Sequence, residues 1–300
     1  PPTPSFARRG NYNFMIKKGE FYFPTKDFQK KAIIKDKRIY KEAQKNPIKF
    51  WEKLAREMYW HKKWKKAFVH KPPYFQWFQG GKLNITENCL DKNLEARKNK
   101  VALIWEPESI DECPKILTYY ELYRQVNKFA NALKKLGVKK GDRVGIYLPM
   151  IPEVIISMLA CARIGAVHSV VFSAFSASSL KARLQDNEAK VLITVDGYSR
   201  RGKIVDLKAS ADEAIKDTKI EKVVVVKRAG NKAAWQEGRD LWFYDLVKDE
   251  SDYCKPTIVD SEDPLFILYT SGSTGKPKGV VHTCGGYMVQ AKYTAKWIFD

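Results

Sequence analysis

The sequence predicts an α/β fold in which parallel strands carry helices on both faces, preceded by an irregular and then helical N-terminal segment. Three observations predict it. Beyond Asn99, short runs rich in Val, Ile and Leu recur without polar alternation, the pattern of strands buried on both faces. Amphipathic stretches with helical spacing separate those runs, so strand and helix alternate. The charge balance changes at the same place: residues 1–100 hold 25 Lys and Arg against 9 Asp and Glu, whereas residues 101–300 hold 29 against 25. The chain thus divides into an arm at 1–30, a basic segment at 31–98 and an alternating region at 99–300.

Pro1, Pro2, Pro4, Gly10, Gly19 and Pro24 break any periodicity, so the arm reads as irregular. From Phe28 to Val69 the spacing predicts helix: Phe50, Leu54 and Met58 recur every four residues, as do Trp60, Trp64 and Phe68. Lys62, Lys63, Lys65 and Lys66 fill the other faces, which makes the rings core and not a base-stacking platform. Pro72-Pro73 and Gly80-Gly81 bracket Tyr74, Phe75, Trp77 and Phe78, predicting an ordered loop anchored by its rings.

Val101–Trp105 then reads as a strand. Thr118 with Glu121 three positions on is a capping box, and the helix it opens aligns Leu122, Val126, Phe129, Leu133 and Leu136 before Gly137 stops it. Further strands are expected at Val144–Leu148, Val167–Phe172, Val191–Val195, Val223–Val226, Leu265–Tyr269 and Val280–His282. Helices are expected from the Pro149–Pro152 turn through Arg163, at Ala177–Gln185, at Ile204–Ile215, and around Tyr287, Val289, Tyr293 and Trp297. In such sheets ligands sit at the carboxyl ends of strands.

Three hundred residues, 44% hydrophobic and 29% charged, can build a substantial core and exclude wholesale disorder. The longest apolar runs, Val154–Ala162 and Val167–Phe172, are too short to cross a bilayer, and since residues 1–30 hold no charged start, apolar stretch and small-residue cleavage site in series, secretion is not expected. Cys89, Cys113, Cys161, Cys254 and Cys284 are odd in number and far apart, and His61, His70, His168 and His282 do not cluster. That argues against a disulfide framework and against structural zinc, and a reducing, cytoplasmic setting is expected. The net charge of +20 would suit nucleic acid, but the segregation of rings from lysines argues against that partner. His168 and His282 lie beside apolar strands and read as satisfied core groups, or as groups that support a site from behind, and not as catalysts.

One segment stands out. Tyr269-Thr270-Ser271-Gly272-Ser273-Thr274-Gly275-Lys276-Pro277-Lys278-Gly279 follows one apolar strand and precedes another. Glycines let successive amides face one anion, hydroxyls donate to it, and lysine adds charge, so the composition is that of a phosphate cradle. It is not a Walker A loop, because the required spacing is absent and Pro277 follows Lys276.

Thr270–Gly279 resembles, residue for residue, the signature of the adenylate-forming superfamily of acyl-CoA synthetases, peptide-synthetase adenylation domains and luciferases. Within it, Trp77-Phe78, Gly80–Asn84 and Asn88–Asp91 look like the N-terminal segment of AMP-forming acetyl-CoA synthetases. Leu148–Glu153, Ala162–Ala166, His168–Phe172, Glu237–Trp242 and Asp263–Tyr269 resemble their interior, and the likeness runs from about Asn46 to Asp300. The resemblance implies that 31–98 is a segment of that kind and 99–300 the first part of a layered AMP-binding (adenylation) domain.

The chemistry it implies joins a carboxylate to ATP, releasing pyrophosphate, and then passes the acyl group to coenzyme A with loss of AMP. Acetate is the acid implied, with propionate and 3-hydroxypropionate open. Thr270, Ser271, Gly272, Ser273, Thr274, Gly275, Lys276, Lys278 and Gly279 would hold the ATP phosphates, with Lys276 or Lys278 as the cation. Arg200, Arg201, Gly202 and Lys203 would hold the 3′-phosphate of coenzyme A, near Phe172. The family has two glycines after that phenylalanine; here they are Ser173 and Ala174. The resemblance places the adenine segment, the acyl pocket, the Mg²⁺-binding acid and the catalytic lysine beyond residue 300. No catalytic or metal-binding residue is therefore expected within the chain. The remainder of an enzyme is expected in cis or as a second chain, and homo-oligomers are open. A non-catalytic nucleotide- or nucleic-acid-binding assembly subunit is the rival reading.

Overall fold

The computed structural model describes residues 15–270 and 277–299. Regular structure begins within the arm expected to be irregular. β1 (Met15–Lys18) and β2 (Phe21–Pro24) form an antiparallel hairpin, and α1 (Lys26–Lys31) follows. Gly19, with φ of 63°, closes the two-residue turn between the strands. A glycine that reads as a breaker in sequence is here the residue a tight hairpin needs.

α2 (Arg38–Lys45) leads into α3 (Pro47–Ala55), which Asn46 caps by accepting from Lys49 N at 2.9 Å. Phe50 and Leu54 are buried as their spacing predicts. The helix does not continue through Trp60, Trp64 and Phe68. Instead β3 (Lys66–Lys71) pairs with β4 (Tyr74–Gln79) around a cis Pro72–Pro73 bond. The four-residue spacing is a coincidence of a loop and a strand. Trp60 and Trp64 meet edge to face at 5.0 Å, both pack on Phe78, and Phe68 faces Trp77 at 4.8 Å across the hairpin. The run expected to be a loop is thus the second strand of that hairpin.

β5 (Lys82–Leu83), a π-helical turn at Glu87–Asp91 and α4 (Lys92–Arg97) fasten this segment to the rest. Asn84 Nδ2 donates to the carbonyls of Ala162, Arg163 and Thr257 at 3.1, 3.0 and 2.8 Å. The fully buried Arg163 forks onto Asp91 at 2.7 and 3.0 Å. A planar guanidinium suits such two-point contact.

β6 (Val101–Trp105) and β7 (Lys115–Thr118) pair with each other and not with the main sheet. The capping box opens α5 (Tyr119–Lys135): Thr118 Oγ1 accepts from Glu121 N at 3.2 Å, and Glu121 Oε2 from Thr118 N at 2.8 Å. Then come β8 (Arg143–Ile146), α6 (Pro152–Ile164), β9 (Val167–Val170), α7 (Ala177–Asn187) and β10 (Val191–Val195). The helix expected from Ile204 starts later. β11 (Gly197–Arg200) pairs back with β12 (Lys203–Asp206), and only then does Asp206 cap α8 (Leu207–Ala214), accepting from Ala209 N at 2.9 Å. β13 (Lys222–Val226), β14 (Asp240–Trp242), α9 (Phe243–Lys248), β15 (Val259–Asp260), β16 (Pro264–Thr270), β17 (Lys278–Thr283) and α10 (Cys284–Thr294) complete the series.

Seven strands form one sheet in the order β14-β13-β10-β8-β9-β16-β17, parallel except that β17 runs against β16. From β8 to β9 the chain steps one way, and from β9 to β10 it steps back past β8. Right-handed crossovers then put α6 and α7 on opposite faces. The reversal opens a crevice at the carboxyl ends of the strands, where ligands bind in such sheets. A large core fills the centre, and a second one joins Phe50, Leu54, Trp60, Phe78 and Leu83 to Leu265, Met288 and Tyr293. Several rings of the basic segment are therefore interior. No helix among the described residues is long and apolar enough to cross a membrane.

Candidate functional site

The β11–β12 hairpin turns on Arg201 and Gly202, whose φ values of 52° and 73° suit the tight turn that matches strand twist. The Arg201 N–H donates to the Glu108 carboxylate from the β6–β7 loop. Gly197 begins the hairpin where nothing larger fits: a Cβ there would lie 2.5 Å from Asn231 Oδ1 and 2.8 Å from the Val205 carbonyl oxygen. The buried Asp196 accepts backbone N–H groups from Gly197, Arg228, Ala229 and Gly230 at 2.7, 2.8, 3.0 and 2.7 Å. One carboxylate thus locks the start of the hairpin to the loop after β13.

These supports frame a cleft of about 340 Å³ at the carboxyl ends of β8, β9, β10 and β13. Phe172, Ser173, Tyr198, Arg200, Trp105 and Arg228 line it. The Arg228 guanidinium lies 5.0 Å from the Trp105 ring and pairs with Glu112. Trp105 Nε1 donates to the Met150 carbonyl at 2.6 Å, which sets the ring against the cleft. On the opposite wall Phe172 is exposed and meets Phe175 edge-on at 6.0 Å. Tyr147, whose hydroxyl donates to the Phe175 carbonyl at 2.7 Å, has its phenol pushed up to about 12 by burial, so it stays a donor.

Of the residues expected at coenzyme A, Phe172 and Arg200 line this cleft together, and Ser173 lines it too. Arg201, Gly202 and Lys203 form the adjoining turn but not the lining. Trp105, Glu108 and Arg228 were not legible as site residues, because two segments far apart in sequence, the end of β6 with its loop and the loop after β13, bring them there. A signal existed: Arg228 stands just past an apolar strand, as Arg200 does.

Of the expected phosphate loop, Ser271, Gly272, Ser273, Thr274, Gly275 and Lys276 lie outside the described residues. Its flanks are ordered by pairing, Thr270 opposite Lys278 and Tyr269 opposite Gly279. Since β16 is parallel to β9, Thr270 ends its strand at the same edge of the sheet as the cleft. Tyr269 donates its hydroxyl to Asp186 Oδ2 at 2.6 Å, and burial, then Asp186, raises its pKa.

His168 is buried, burial pushes its pKa down to about 4, and its Nδ1 finds no partner among the described residues. It stacks on Phe266, which stacks on His282, so both imidazoles sit in packing and away from the cleft. Among the described residues no group of three His, Cys, Asp or Glu could hold a metal ion. The buried Lys208, bonded to Asp212 and Asp240 at 2.7 and 3.0 Å, ties α8 to β14.

Residues 90–299 match the AMP-binding enzyme family, and residues 36–89 match the acetyl-coenzyme A synthetase N-terminus. This chain belongs to the AMP-binding enzyme family. Among curated relatives of the family, it is 52% identical over 281 residues to the acetyl-coenzyme A synthetase of Rubrobacter xylanophilus, covering 93% of this chain and 44% of that one. It is 51% identical over 289 residues to the acetyl-coenzyme A synthetase of Leptospira biflexa, covering 92% and 44%. The solved acetoacetyl-CoA synthetase from Streptomyces lividans superposes with a TM-score of 0.80 at 28% identity, covering 90% of this chain and 44% of that structure. The chain thus spans less than half the length of these family members.

Proposed function

We propose that this chain supplies ATP-phosphate and coenzyme A contacts for an AMP-forming acetate–CoA ligase. In that reaction acetate and ATP give acetyl-adenylate and pyrophosphate, and coenzyme A then takes the acetyl group and expels AMP. The observation that carries the reading is the convergence of Phe172 and Arg200 on one cleft at the sheet edge where β16 ends. The first step joins two anions, so it needs charge neutralisation and in-line positioning more than acid–base chemistry. Thr270 through Gly279 is the segment assigned to the β- and γ-phosphates, with Lys276 or Lys278 as its cation.

In the cleft, Arg200 would hold the 3′-phosphate of coenzyme A and the Phe172 ring would give the adenine a stacking face. Glu108 also lines the cleft, but its carboxylate is engaged by the Arg201 amide. Ser173 and Ala174, where the family has glycines, narrow the approach of backbone to ligand. Magnesium would arrive complexed to ATP; the described residues offer no cluster to hold it, and no step is assigned to it. Acetate is preferred over propionate or 3-hydroxypropionate because the two curated relatives are named acetyl-coenzyme A synthetases.

Calorimetric titration of the chain tests this. Arg200→Ala should weaken coenzyme A binding about 10- to 100-fold, as for loss of a charge-assisted phosphate contact. Dephospho-CoA, which lacks the 3′-phosphate, should bind wild type and variant alike. Equal weakening of both ligands would show that Arg200 shapes the cleft without touching that phosphate.

A further inference from the structure

Arg183, on α7, is only 7% exposed and has no ion pair with a carboxylate among the described residues. Its NH1 donates to the Ser179 carbonyl at 2.6 Å. Its guanidinium carbon lies 4.6 Å from the centre of the Phe175 ring and 5.6 Å from that of Tyr269. Burial lowers its pKa, so the charge is held at a cost. Methionine or leucine would fill the same space without that cost. What only arginine adds is a flat cation within reach of two aromatic rings.

Each ring is fixed further along. Phe175 meets Phe172 at the cleft wall, and its carbonyl accepts the Tyr147 hydroxyl. Tyr269 is fastened to α7 through Asp186, and it lies over Gly279, where a Cβ would come within 3.2 Å of its ring. A continuous line of contacts therefore runs from the cleft wall to the strand ends that carry Thr270 and Lys278.

We infer that Arg183 is a positioning residue, a strut that makes the loop after β9 and the paired ends of β16 and β17 move as one unit. Naming what those two segments hold, coenzyme A and ATP, rests on the function proposed above. Hydrogen–deuterium exchange tests the strut without any ligand. Arg183→Met should raise amide exchange about tenfold in the peptides containing Phe175 and Tyr269 together, and leave Val223–Val226 protected. Arg183→Lys keeps the charge but not the plane, and should behave like the methionine variant. Because Phe175 is exposed, Phe175→Leu leaves folding intact and should still loosen the Tyr269 peptide. Wild-type exchange at either peptide in Arg183→Met, rescue by lysine, or an unmoved Tyr269 peptide in Phe175→Leu would overturn the inference.

Titrations with coenzyme A and ATP on the same variants separate it from the substrate assignment. Weakening of both ligands by about 3- to 10-fold in Arg183→Met supports the strut and its role. Should wild type bind neither ligand while exchange changes as described, the substrate assignment falls and the strut stands. Should wild type bind both and Arg183→Met leave affinities and exchange unchanged, the strut falls and the assignment stands.

Discussion

The centre and the edge of the seven-stranded sheet are built from similar sequence and end in different environments. β10, Val-Leu-Ile-Thr-Val, is buried at every residue. β16 and β17 are also rich in Leu, Ile and Val, yet Leu268, Val280 and Val281 are 48%, 43% and 53% exposed. Crossover helices cover the central strands on both faces, whereas the outer pair is antiparallel, joined to the sheet through the single Phe266–His168 register pair. The apolar run predicts a strand in both places. Burial is decided by the connections, because only a crossover brings a helix back over the strand it leaves. The centre is scaffold; the edge presents an apolar face beside the strand ends that flank the glycine-rich segment.

The largest expected effect would break the comparison at the centre. Val224 on β13 is fully buried, and Val224→Asp places an unpaired carboxylate there. A loss of about 4 kcal/mol or more is expected, leaving the chain largely unfolded in urea titrations at 25 °C. A midpoint like that of wild type would mean that the centre is not packed as described.

The seam comes next. His168 has an unfolded-state pKa of 6.5 and a folded value pushed down to about 4 by burial. Below pH 6.5 the unfolded chain therefore binds the proton that the folded chain refuses. Stability should be fully present above that pH and decline by about 3 kcal/mol as pH falls to about 4. His168→Phe should remove this part of the slope in denaturation curves taken at several pH values. An unchanged slope would place the acid sensitivity elsewhere.

The smallest effect sharpens the comparison at the edge. Val281→Lys should change stability by no more than about 0.5 kcal/mol, because the side chain already faces water. A loss as large as that at Val224 would show a covered face.

The same division explains what could be read in advance. Thr118 and Glu121 announced α5 because a capping box is local chemistry, satisfied within four residues. Val191–Val195 announced β10 differently, by a largely apolar run without polar alternation that suits a strand buried on both faces. Trp60, Trp64 and Phe68 misled because four-residue spacing arises by chance, and the partners that hold them, Phe78 and Trp77, lie beyond a tight turn. Ile204 and Val205 read as helix, but their backbone pairs with Tyr198 and Ser199 across a turn set by Gly202. At the cleft, Phe172 and Arg200 were legible as motif residues. Trp105, Glu108 and Arg228 were not, since Asp196 and the Glu108–Arg201 contact gather them from distant segments.

The fastening of the basic segment carries a consequence for synthesis. Trp77 N donates to Glu262, 185 residues downstream, and Asn84 to Thr257, 173 downstream. At ribosomal rates of roughly 5–20 residues per second, these partners emerge on the order of ten to forty seconds after the segment they hold. Through that interval the rings of Trp60, Trp64 and Phe78 have cover only from their own segment, such as Arg56 on Trp64 and Trp77 on Phe78, and not from Leu265, Met288 and Tyr293 of the same core. A nascent chain with such an aromatic cluster exposed is a natural client for a ribosome-associated chaperone, and slow codons before residue 257 would lengthen its exposure.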